Sequence, residues 1–182
     1  MATSPETSPG KIIARAAAGA ALTMSAGHVS ASFDKLATWF LAAFGAGLAL
    51  ALTHLTEASN FISTSSLACG FNVFICASFL CLGQRYIAMI IAAAAAAAKD
   101  GREMGEKFAQ MDIQEFVSQM KAGVPILMRP FINVFMEAIL KGDFAAGGRL
   151  LIRLALFQGL LASAEVIWLL VTLWRIVGEI KT

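Results

Sequence analysis

Gln158, Glu165, Thr172 and Glu179 recur at intervals of seven residues near the C-terminal end of the chain. Seven residues are close to two helical turns, so on a helix the four side chains form one stripe. Ala155 and Ala162 flank it, and small residues let another backbone come close. The segment around Glu165 is otherwise apolar, and an ionisable group in such a helix is costly enough to suggest a role. Two roles fit. The stripe lines an ion or proton path or the centre of an oligomeric pore, or it clamps helices together through hydrogen bonds, with Glu165 protonated or paired. Candidate partners for Glu165 are His54, Arg85 and Arg153. Arg153 lies twelve residues earlier on the same helix, about 120° away around the axis, so it does not face Glu165 directly.

His54 is the next group that could do chemistry. Phe40, Gly47 and His54 are spaced by seven, with Ala43 and Leu50 beside them. This places His54 on one helix face, as a proton relay, a haem ligand or a histidine at the membrane interface. Haem held between spans often takes two histidines, and His28 is the other one in the chain. Cys69, Cys76 and Cys81 sit in an apolar run at spacings that match no zinc site, with no histidine nearby. They read as inert thiols, and no metal or cofactor is expected.

Enzyme motifs are absent. SPGKII lacks the glycine spacing and the Ser/Thr of a phosphate loop. Neither HExxH nor GxSxG occurs. Ser32 and Lys35 match SxxK without its companion motifs. The chain is therefore expected to be non-enzymatic.

Composition says where such helices belong. Hydrophobic residues make up 58% and charged residues 14% of the 182, against about 45–50% and 25% in soluble domains. Mean hydropathy is +0.73. These values exclude a disordered chain and favour an integral membrane protein. A net charge of +2 gives no reason to expect a nucleic-acid partner.

The elements follow from apolar length. Residues 1–10 (MATSPETSPG) read as a flexible tail. Residues 11–31 begin with Lys11 and Arg15 and resemble a secretory signal, but their Ala/Gly-rich core is weakly hydrophobic. An uncleaved interfacial helix is expected there. Residues 32–182 form the membrane domain, with spans at about 36–55, 62–83 and 150–174. Twenty residues at ~1.5 Å each match the ~30 Å hydrocarbon layer. Gly83-Gln84-Arg85-Tyr86 reads as an interface, yet the apolar run resumes and continues through Ala92–Ala98. A helix from Leu67 to Ala98 would be ~48 Å long and would project beyond the bilayer rather than bury Arg85. The Ala92–Ala98 run reflects helix propensity or a thin side that another helix approaches.

Residues 103–142 are charged and amphipathic. Ala109, Ile113, Phe116 and Met120 oppose Asp112, Glu115 and Gln119, and a second short helix follows Pro130. This segment is expected to be a cytoplasmic or re-entrant helical hairpin. Seven Lys and Arg lie between residues 99 and 149, and none lies in the 56–61 connection. The positive-inside rule then puts the N-terminus and the hairpin in the cytoplasm and the 56–61 connection outside. The expected setting is a bacterial inner membrane.

Small residues four apart suit close helix packing: Ala43 and Gly47, Ser66 and Gly70, and Ala155, Gly159 and Ser163. The expected fold is thus an all-α integral membrane bundle of three transmembrane helices plus the amphipathic hairpin. Three helices enclose a path poorly, so the expected partners are membrane lipid and further copies of the chain. The leading expectation is a homo-oligomeric assembly, with a channel or holin-like pore as its most specific form. The alternative is an accessory or anchor subunit of a larger membrane complex, docking through 103–142.

Overall fold

The structure is a computed structural model that describes residues 9–58, 62–103 and 145–178, with isolated positions between 115 and 143. Among these residues the chain is helical: α1 (Pro9–Thr53), the short α2 (Leu55–Ala58), α3 (Thr64–Glu103) and α4 (Ala146–Gly178). The three long helices are each long and apolar enough to cross a membrane.

Local chemistry explains where they begin and end. Pro9 opens α1, where a missing N–H costs nothing and its fixed φ suits a first turn. Thr53 closes it, with its hydroxyl turned back onto the Leu50 carbonyl at 2.9 Å. Ser63 caps α3: its Oγ accepts the Ser66 N–H at 3.2 Å. Arg149 in the first turn of α4 pairs with Asp143 just before it.

Two expected boundaries are not marked by any break. α1 runs through residue 31, so the 11–31 segment and the first span share one helix. Its Ala-rich sequence has high helix propensity, and no proline interrupts it after Pro9. α3 likewise continues past Arg85 to Glu103, a single helix of 40 residues and ~60 Å. Of the expected 1–10 tail, Pro9 and Gly10 belong instead to α1, while residues 1–8 and most of the 103–142 hairpin lie outside the described residues. Within the hairpin, exposed Gln119 donates to Glu115 at 2.8 Å, one helical turn away.

The chain divides into two compact units, one of residues 1–28 and 91–154, the other of 29–90 and 155–182. In the first unit the backbones come very close. A Cβ added at Gly148 would stand 2.5 Å from the Gly19 carbonyl oxygen, and one at Gly27 would stand 3.0 Å from the Ala95 Cβ. The alanine run therefore packs, through Ala95, on a glycine of α1.

In the second unit α4 buries Ala155, Gln158, Ala162, Glu165, Leu169, Thr172 and Ile176. The steps alternate between three and four, the seam of a left-handed helical bundle. Val73 and Ala77 of α3 meet Leu169 of α4, with Phe40, Leu41 and Phe44 of α1 packed around them. Gly45 makes room for Phe74 and Gly159 for Phe33: a Cβ at either would lie 2.7 or 2.5 Å from the ring. Gly70 faces both Leu48 and Ile176. The C-terminal ends of α1 and α4 thus share one end of this unit with the start of α3.

Candidate functional site

Four polar residues of the second unit, Ser30, Gln84, Gln158 and Glu165, face inward and meet in two layers. In the first, Gln84 of α3 donates through Nε2 to Glu165 Oε2 of α4 at 2.6 Å. Both side chains are fully buried. In the second, Ser30 of α1 donates through Oγ to Gln158 Oε1 at 2.6 Å, and Gln158 Nε2 returns a bond to the Ser30 carbonyl at 3.3 Å. Two charge-bearing or amide side chains of one α4 stripe are therefore spoken for by two different helices. Thr172, third on the stripe, is buried with its hydroxyl bonded to the Trp168 carbonyl of its own helix.

Beside the Gln84–Glu165 pair, Arg85 reaches α1. Its Nη2 donates to Thr38 Oγ1 at 3.1 Å and its Nε lies 3.7 Å from Asp34 Oδ1. Cys81, one turn before Arg85 on α3, is also buried. The result is a polar belt that ties all three helices together at one level. Glu165 lies midway along the apolar run of α4, level with Gln84 and Arg85 midway along α3.

The candidate partners of Glu165 are placed elsewhere among the described residues. Arg85 follows Gln84 by one residue, about 100° around the helix, so it points to α1 while Gln84 points to α4. His54 lies in the turn after α1, exposed, 3.6 Å from Glu57. Arg153 is exposed. Of the small-residue sets, Ser66, Gly70, Ala155 and Gly159 are buried in the seams, whereas Ser163 faces out. Ala43 and Gly47 also face out, and a Cβ on Gly47 would meet nothing within 4 Å.

Ser30, Asp34, Thr38 and Gln84 were not singled out from sequence, although a signal was present. Gly70, Ala77, Gln84 and Ile91 are spaced by seven, as are Thr23, Ser30 and Ala37, and all seven are buried. Ser30 and Gln84 occupy seam positions.

Chemically, the belt is a hydrogen-bond clamp with spare acceptors. Gln84 Oε1 and Glu165 Oε1 are buried and lack a hydrogen-bond partner. Each can accept from a water. Among the described residues no three His, Cys, Asp or Glu side chains converge as a metal site. No protein-family model, curated protein or solved structure matches the chain.

Proposed function

We propose that the chain is a non-enzymatic integral membrane protein whose working form is a homo-oligomeric helical assembly. The observation that carries this reading is the outer face of α1. Ala42, Ala43, Ala46 and Gly47 are all exposed and form a shallow trough between exposed Trp39 and Leu50. Small outward residues let a second helix approach to backbone distance, a gain in packing that lipid tails match poorly. Gln158 and Glu165 of α4 are meanwhile hydrogen-bonded to Ser30 and Gln84 within the chain, so this face of α1 offers a neighbour packing.

A channel or holin-like pore is the most specific version of this reading. In it the path follows the inward polar line of each protomer, from Gln158 to Glu165, rather than a ring of these residues on the oligomer axis. In this reading the membrane is a bacterial inner membrane, and the positive-inside rule puts the N-terminus in the cytoplasm.

Mass determination in detergent tests assembly, and ion flux from liposomes tests conduction. A multiple of the chain mass supports self-assembly. A stoichiometric foreign subunit favours instead an accessory role, docking through 103–142. Flux that falls in Glu165→Ala supports the pore; an oligomer without flux removes the pore and leaves a scaffold.

A further inference from the structure

A groove of about 500 Å3 opens between the start of α3 and the end of α4. Its two ends differ in chemistry. At the end toward the helix termini, its mouth, stand Ser65, Ser66 and Arg175; one to two turns further along the helices stand Val73, Val171 and Trp168. Ser65 to Val73 is eight residues, ~12 Å along α3, and Arg175 to Trp168 is seven, ~10 Å along the antiparallel α4. Polarity thus falls from cationic and hydroxylic to apolar over the length of a headgroup and the upper part of an acyl chain.

The mouth is suited to an anion. Arg175 is exposed, and among the described residues no carboxylate pairs with it. Three serine hydroxyls gather at the same place: Ser63 Oγ lies 3.0 Å from Ser65 Oγ and 2.8 Å from Ser66 Oγ. The groove also opens beside the first turn of α3, the positive end of that helix dipole. A guanidinium can take a phosphate with two parallel bonds. The indole of Trp168 gives the deeper part an amphipathic wall of the kind found at headgroup depth.

We propose that this groove is a binding site for one anionic phospholipid, with its phosphate on Arg175 and the serine hydroxyls and its acyl chain along Val73, Val171 and Trp168. The site stands apart from the Gln84–Glu165 belt and needs no second copy of the chain, so it holds whether or not the protein self-assembles.

The test uses the full-length chain, purified in detergent and stripped of lipid. Native mass spectrometry is run with phosphatidylglycerol, with phosphatidylcholine, and with inorganic phosphate as competitor. One cation near the headgroup is worth about fivefold in affinity. Phosphatidylglycerol should therefore bind about fivefold more tightly than phosphatidylcholine, and Arg175→Gln should abolish that preference while Arg175→Lys keeps most of it. Trp168→Ala should weaken both lipids alike. Excess inorganic phosphate should not displace the lipid, because the acyl chain supplies part of the binding. Equal binding of the two lipids by the wild-type chain overturns the proposal without recourse to any variant. So does a preference that survives in Arg175→Gln. Displacement by inorganic phosphate assigns the mouth to free phosphate and overturns the lipid site.

Discussion

Gln84 and Glu165, 81 positions apart in sequence, are joined by a 2.6 Å hydrogen bond between fully buried side chains of α3 and α4. The bond leaves one acceptor unmade on each partner. Such a pair punishes removal of one member more than removal of both. Gln84→Leu should destabilise the protein by about 1–3 kcal/mol, since it strands the Glu165 carboxyl. Gln84→Leu with Glu165→Leu should cost less than the two single changes together, with a coupling of about 1 kcal/mol. Reversible unfolding in detergent measures the cycle, and strict additivity would show that the two groups do not interact.

Glycines grade the packing. Gly148 faces the Gly19 backbone, whereas Gly159 faces the ring of Phe33. Alanine at 148 meets a carbonyl that cannot rotate away, so it should cost about 1–3 kcal/mol or more. Alanine at 159 meets a ring that can shift and should cost less. Equal losses, read as melting temperature, would contradict the close approach at Gly148.

The outward glycine behaves differently. Gly47→Leu has open space before it and gains about 1 kcal/mol of helix propensity, so the isolated chain should keep or raise its stability. If the trough is an assembly face, the same change fills it and lowers the oligomer mass. An unchanged oligomer with unchanged stability would remove the trough from the interface.

Contacts of Gly70 with Leu48 and Ile176 put the ends of α1 and α4 together. In a chain whose native cysteines have been replaced, Glu57→Cys and Gly178→Cys should label from the same side of a sealed vesicle. Labelling from opposite sides would contradict the antiparallel order of α3 against α1 and α4.

Helix type, the three long apolar helices and the inward face of α4 were readable in the residues. A seven-residue recurrence of Gln158, Glu165 and Thr172 keeps one face buried whatever the neighbours are. The partners were less readable, because the facing residue depends on how far one long helix slides past another. No local pattern records that slide. Gln84 stands in a polar GQRY cluster that suits an interface, and Ser30 stands among other small residues, so neither advertises a buried bond. Arg85 drew notice by its charge, yet its neighbour holds the acid, because one step along a helix turns the side chain by about 100°. The fused length of α1 was hidden for a related reason: composition changes near residue 31, but backbone preference does not.

The mass of the purified protein in detergent, with bound detergent subtracted, tests the central claim most directly. A homo-oligomer predicts a single species at an integer multiple, two or more, of 19.2 kDa. A species that stays at 19.2 kDa across protein concentration, or one that carries a stoichiometric foreign subunit, would contradict it.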